Sequence, residues 1–401
     1  MNNYSELLPP LLIGNELKIN LQLLPEYKTD YGYLSAPQRI IKLMDIYKVF
    51  VPLSMTEEIY HKLYMMTMLS FSQKGNTVAI KRANDIHNWK GNGNFHGVIT
   101  GATSASIIGN SGIGKSSSIQ RSINLIGDII ETDSLRLIPV LTVVCPFDCN
   151  YRGLLLQILI SIDEKIGSKY YDNAVKQRMN AQQILCMTCQ ACQLYVGVLV
   201  IDEIQFLVGH QQLYQMILQL INVSNISVLL VGTDECISFF EETPQMARRG
   251  SGLRLKALEN NEEFKSLVRI MFQYQYTQNQ TPLTDSILYW LYEHTAGNIS
   301  ALVSLLHDAQ EIAILNGTET LNIQTLTEAY TKRMESMHVF VEQKKKKLSK
   351  TSSKPKEKNL QTIKKQAVTL EGTIKEISYF IKDNNLNAAK HYKKYFNVEE
   401  I

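Results

Sequence analysis

What the sequence lacks removes several classes of protein. Across 401 residues no apolar run approaches the roughly 20 residues of a membrane-spanning helix. The amino terminus, Met1-Asn2-Asn3-Tyr4-Ser5-Glu6, has no basic stretch leading into an apolar one. No secretory leader is therefore visible, and a cytoplasmic, membrane-free protein is expected. Cysteine is sparse at six residues, and in a reducing compartment these are not expected to pair. No internal repeat and no nuclease-type cluster of ligands stands out.

The hydrophobic fraction of 45% and charged fraction of 20% describe a globular chain with a substantial core, long enough for two or three domains. The net charge of +3 hides an asymmetry. Residues 342–366 hold ten lysines and two glutamates, a net of +8, which leaves about −5 for the rest. Nucleic-acid contact by the folded body must then come from local patches. The lysine stretch, Lys344-Lys345-Lys346-Lys347 through Lys354-Pro355-Lys356, reads as a solvated tether or as an aid to holding DNA phosphates or an acidic partner.

Three of the cysteines form Cys186-x-x-Cys189-x-x-Cys192. This invites a metal, but the segment Ala181 to Tyr195 reads as a helix, and the spacing puts the thiols on neighbouring helical positions. No fourth ligand stands at a recognised spacing, so packing against a sheet is expected.

The richest segment is Gly109-Asn110-Ser111-Gly112-Ile113-Gly114-Lys115-Ser116, which fits the phosphate-loop pattern G-x-x-x-x-G-K-[ST]. A strand-like run, Ser104 to Ile108, precedes it. Ser117 to Ile130 follows, with Ile119, Ile123, Ile126 and Ile130 at helical spacing. Strand, glycine loop and helix let backbone N–H groups and the helix N-terminus hold phosphate. These eight residues with Ser117 are the candidate ATP-binding set. Lys115 is expected on the β- and γ-phosphates and the Ser116 hydroxyl on Mg²⁺.

A second motif lies 87 positions beyond Lys115. Val198 to Ile201 form a β-branched and aliphatic run that ends in Asp202-Glu203, at the carboxyl end of a buried strand, where open α/β sheets bind ligands. Asp202 is expected in the Mg²⁺ shell and Glu203 as the general base for water. Ile226 to Val231 repeats the pattern and ends in Gly232-Thr233. Thr233 either touches the attacking water or the γ-phosphate, or caps the strand. One more strand, Leu137 to Val144, falls between the loop and Asp202.

This arrangement resembles the additional-strand, catalytic-glutamate branch of P-loop ATPases, and with a helical region after it, the AAA+ proteins. The resemblance implies an α/β fold: a P-loop AAA+ parallel sheet with flanking helices, followed by a small helical lid. Glu262 to Tyr276, Ser286 to Thr295, Ala301 to Leu315 and Thr325 to Met334 read as the lid helices. By the same resemblance Arg248 or Arg249 is the arginine offered across a subunit interface to the neighbour's γ-phosphate; a surface pair with local ion pairing is the alternative. The lid arginine of many AAA+ proteins is absent, since Ile299-Ser300 stands there, and slow turnover is expected.

Val144-Cys145-Pro146-Phe147-Asp148-Cys149-Asn150-Tyr151-Arg152-Gly153-Leu154-Leu155, with Asp202-Glu203-Ile204-Gln205 and Gly232-Thr233, is similar to the TnsC and TniB type of transposon ATPase over roughly residues 45–335. That resemblance implies ATP-dependent rings or filaments on duplex DNA, recruitment of transposase subunits, and a target handed over by a TnsD- or TniQ-type selector. Hydrolysis would then control disassembly. Arg152, expected in the loop after the Leu137 strand, and Lys169 are the candidate DNA-phosphate contacts, with solvated surface roles as the alternative. Two other functions stay open: a helicase loader or replication initiator, and a nucleotide-switch signalling ATPase without DNA. The expected division is an N-terminal interaction segment over 1–50, or a strap on the core, then the ATPase over 51–258 and the lid over 259–335. A lysine-rich linker over 336–366 and a partner-docking segment over 367–401, with Ile374, Ile377, Phe380 and Ile381 at helical spacing, complete it.

Overall fold

Along the central strands, successive side chains enter opposite layers. Val198 and Val200 join one buried cluster, while Leu199 and Ile201 join another; Leu229 and Val231 part from Val228 and Leu230 in the same way. Such period-two alternation, apolar on both sides, marks a sheet covered on both faces. The computed structural model describes residues 4–28, 31–74, 104–132, 136–148, 150–224, 226–237, 240 and 252–334. Two units divide the chain, Met1–Ser336 and Met337–Ile401. The lysine-rich stretch and the segment expected to dock a partner lie outside the described residues.

The first unit begins with α1 (Gly14–Leu21), α2 (Ala36–Leu43) and α3 (Ser54–Ser72). The sheet region then runs β1 (Ser104–Gly109), α4 (Lys115–Ile126), β2 (Ile130–Glu131), β3 (Arg136–Val144), α5 (Tyr151–Ile166), α6 (Tyr170–Lys176), α7 (Ala181–Tyr195), β4 (Val196–Asp202), α8 (Gln211–Ser224), β5 (Ser227–Gly232) and β6 (Leu253–Leu255). Helices α9 (Glu262–Phe272), α10 (Asp285–Thr295), α11 (Ile299–Leu315) and α12 (Ile323–Ala329) follow.

Strand order is β2-β3-β4-β5-β1-β6. All neighbours are parallel except β2, which pairs antiparallel with β3. From β1 the chain crosses to β3, returns through β4 and β5, then passes over β1 to β6. This reversal beside β1 opens a crevice at the carboxyl ends of β1, β5 and β4. Pro139 lies inside β3, where the register with β4 passes from Ile138–Val196 to Val140–Val198 and the Pro139 carbonyl lies close against Gly197.

Helices α5, α7 and α8 cover one face, with Ile158, Leu159, Ile162, Cys189, Cys192 and Ile217 buried against it. On the other face lie α1, α3 and α4, contributing Leu17, Leu21, Ile59, Leu63, Ile119 and Ile123. A third cluster joins α9 to α12 around Phe264, Leu291, Leu302, Leu305 and Leu326.

Two local expectations need correction. The helix after the phosphate loop stops at Ile126, because Gly127 at φ 106° breaks it. Ile130 therefore belongs to β2, paired with Leu137. Arg152, expected in a loop, lies in the first turn of α5. The Asn150 side chain accepts from the backbone N–H groups of Arg152 at 3.0 Å and Gly153 at 3.3 Å, which starts the helix there.

Cys186, Cys189 and Cys192 lie on α7 and are buried. Burial pushes the Cys186 thiol up to about 11 and Cys192 to about 12, the behaviour of inert packing thiols.

The segment before position 51 is packed against the body at several points. Arg121 of α4 donates to the Leu21 carbonyl at 2.8 Å, and Leu23 and Phe50 exchange backbone hydrogen bonds at 2.9 and 2.8 Å. Farther along, Arg39 grips Glu319 through two hydrogen bonds of 2.6 Å. Tyr27 and Tyr31 pack with Tyr274 and Tyr276. The N-terminal segment is thereby fastened to both the sheet layer and the C-terminal helices.

Candidate nucleotide site

β1 ends at Gly109, where a Cβ would stand 2.6 Å from the Leu255 carbonyl of β6. Gly112 and Gly114 then take φ of 79° and 94°, left-handed values that favour glycine and turn the loop into the N-terminus of α4. Lys115 opens that helix, with Ser116 and Ser117 after it. Its buried Nζ donates back to the carbonyls of Gly109 at 2.6 Å and Asn110 at 2.9 Å. Burial pulls the Lys115 ammonium below its usual range, while Asp202, Glu203 and Asp234 oppose that shift.

The two nucleotide motifs meet at one hydrogen bond. Ser116 Oγ donates to Asp202 Oδ2 at 2.9 Å. Asp202 Oδ1 accepts from the Glu203 backbone N–H at 2.8 Å. Glu203 has φ 59°, an uncommon conformation for a glutamate and one that marks functional turns. It is half-buried and receives a hydrogen bond from the Gln205 side-chain amide. Thr233 follows β5, its Oγ1 buried without a partner among the described residues. Lys115, Ser116, Asp202, Glu203 and Thr233 all line one cavity of about 540 Å³.

The rest of that cavity was not legible in the motifs. Tyr47, Phe50 and Leu53 line it from before α3; Leu267, Met271 and Val303 line it from the C-terminal helices. An apolar wall of this kind beside a phosphate loop suits a nucleoside. Asn298 also escaped assignment. It caps α11 by accepting from Ala301 N–H at 3.0 Å and donates its amide to Ser111 O at 2.8 Å. Ser300 N–H donates to Gly112 O at 2.9 Å. The position without a lid arginine thus docks directly on the loop. An Asn before an apolar helix is a readable cap signal, but its contact with Ser111 is not.

The site does not gather every expected residue. Arg152 is half-buried, with Nη1 donating to Met179 O at 2.5 Å. Lys169 is exposed at the N-cap of α6. Neither lines the cavity. Arg248 and Arg249 lie outside the described residues.

The residues present fit ATP and Mg²⁺: a loop of left-handed glycines opening a helix, a buried lysine, and a hydroxyl and carboxylate already in contact. A parallel sheet with the phosphate-loop strand between β5 and β6, an Asp-Glu strand end beyond β5, and a helical layer over the cleft define an AAA+ ATPase fold. The model of the bacterial TniB protein family, a family of transposon-associated ATPases, matches residues 73–260, and this segment is similar to it.

Among solved structures, the chain is similar to the ORC1 protein of Aeropyrum pernix in complex with DNA, at 14% identity and TM-score 0.47, covering 70% of this chain and 66% of that one. A second is Drosophila ORC bound to DNA, at 12% identity and TM-score 0.45, covering 96% and 85%. A third is domain III of the Thermotoga maritima replication initiation protein DnaA, at 17% identity and TM-score 0.36, covering 64% and 92%. With every TM-score below 0.5, the fold assignment rests on strand order. No curated protein matches the chain. No helix among the described residues is long and apolar enough to cross a membrane.

Proposed function

We propose that this protein is an ATP-dependent regulator of DNA transposition that assembles on duplex DNA and links a target selector to the transposase. The observation that carries the reading is the Ser116–Asp202 hydrogen bond of 2.9 Å beside Glu203, inside the segment similar to the TniB family. The ATPase spans 51–258 and the helical lid 259–335.

Gly109 to Ser117 hold the triphosphate through backbone N–H groups, and Lys115 turns from its two carbonyls to the phosphates. Ser116 and Asp202 would hold Mg²⁺, which neutralises charge on the phosphate oxygens when bound. Glu203 takes a proton from water as the water oxygen bonds to the γ-phosphorus; the bond from that phosphorus to the β-γ bridging oxygen breaks, and ADP leaves. Arg248 or Arg249 reaches a neighbouring subunit's γ-phosphate, so ATP joins subunits and hydrolysis loosens them. Arg152 and Lys169 hold DNA through its backbone.

Electron microscopy with an ATP analogue, with and without duplex DNA, tests the reading. Rings or helical filaments around DNA are expected with both present. A monomer indifferent to DNA and nucleotide would overturn it.

A further inference from the structure

Gln205 is unassigned by the nucleotide motifs, yet it touches the residue placed as the base. Its Nε2 donates to Glu203 Oε2. Its Oε1 is buried and has no hydrogen-bond partner among the described residues. The Thr233 Oγ1 is in the same condition. Gln205 also lies under the end of β5: a Cβ on Gly232 would come within 3.3 Å of Gln205 Oε1, 2.7 Å of Ile204 and 2.6 Å of Cys236 Sγ. The short helical turn Ile204–Leu207 that follows Glu203 carries Gln205 there. Glu203, Gln205, Gly232 and Thr233 all line the nucleotide cavity.

We infer that Gln205 is a positioning residue for hydrolysis: its amide holds the Glu203 carboxylate at the Thr233 end of the sheet, and its carbonyl with the Thr233 hydroxyl receives the attacking water. The inference rests on the reading of Glu203 as the base. A base is effective when a third group fixes its orientation, as in nucleophile–base–orienter constellations. Here the backbone of Glu203 is already fixed by its φ of 59° and its hydrogen bond to Asp202. The remaining freedom is side-chain rotation, and the Gln205 amide removes it. Gln205 and Thr233 both line the cavity and each carries a buried polar atom without a partner among the described residues, a desolvation cost that a water entering with the nucleotide relieves. Burial at Gly232 leaves no space for a side chain that would displace Gln205.

Steady-state ATP hydrolysis and binding of a fluorescent ATP analogue, measured on the full chain with DNA, test this. Gln205→Met keeps the length and removes both the donor and the acceptor. It should lower kcat roughly tenfold or more, as loss of orienting partners does elsewhere, while KM, analogue Kd and Tm stay within about twofold or a few degrees of wild type. Gln205→His restores an N–H donor and should recover part of kcat. Unchanged kcat in Gln205→Met overturns the inference. So does a parallel loss of analogue binding and Tm, which marks a structural role. Glu203→Gln separates the two levels: retained turnover there overturns the reading of Glu203 itself, whereas lost turnover there with an indifferent Gln205→Met overturns only the role of Gln205.

Discussion

The side-chain amide of Asn298 donates to the backbone carbonyl of Ser111, 187 positions earlier, at 2.8 Å. One residue therefore both starts α11 and holds the phosphate loop. Its Oδ1 caps Ala301 and its Nδ2 reaches the loop, so α11 cannot move away from the loop without releasing Ser111. The glycine at 112 is a condition of this approach, since a Cβ there would stand 2.7 Å from Asn298 Oδ1.

Asn298→Ala should therefore remove a helix cap and leave a loop carbonyl unpaired. The two losses together destabilise the fold by about 2 kcal/mol. A shift of the urea midpoint with unchanged m-value is expected. Asn298→Asp keeps the cap and replaces the amide donor with a carboxylate facing the Ser111 carbonyl. It should retain helix stability but weaken ATP-analogue binding, because the added negative charge lies beside the phosphate loop. Equal analogue affinity in wild type and Asn298→Asp would dissociate the lid contact from nucleotide binding.

The Ser116–Asp202 contact leads to a metal-dependence test. Chelating divalent cation should weaken analogue binding to the wild type by roughly tenfold, equivalent to about 1.4 kcal/mol. In Ser116→Ala, which has lost one of the two groups assigned to the metal, the same chelation should matter much less. Isothermal titration with and without Mg²⁺ reads the difference. An equal chelation penalty in both proteins would remove Ser116 from the metal shell.

The sheet was legible because its strands are apolar runs with polar punctuation at the carboxyl end. Gly109, Asp202 and Thr233 each stand where such a run stops, so the motifs and the strand ends coincide. The C-terminal helices announced themselves through apolar spacing; their caps, Thr284 and Asn298, became evident only in the structure. Long-range contacts were not legible. Tyr47 and Phe50 precede α3 without any nucleotide motif, and only the fold brings them to the cavity. Arg39 looks like a surface residue in sequence, yet it is buried on Glu319, 280 positions away. The interior of the sheet is repetitive and local; the cavity wall is assembled from distant segments that carry no shared pattern.

Lys74 gives a pH test of the core. Its Nζ lies at the C-terminal end of α7, donating to the carbonyls of Cys192 at 3.2 Å and of Gln193. Burial lowers its pKa from 10.5 to about 7, with Cys192 opposing the shift. The folded state therefore binds fewer protons than the unfolded state between those two values. Stability must rise with pH from about 7 toward 10.5, by at most about 1.4 kcal/mol per pH unit. Below the folded pKa both states are protonated and the dependence vanishes. Wild-type Tm should climb between about pH 7 and about pH 9 relative to Lys74→Met, which has no charge to lose. The variant leaves two helix-end carbonyls unpaired, so its Tm should be lower at the alkaline end. All other titrating groups are common to both proteins, and the difference in slope isolates Lys74. Parallel Tm-versus-pH curves would show that Lys74 keeps its charge in the core and that the two carbonyls solvate it fully.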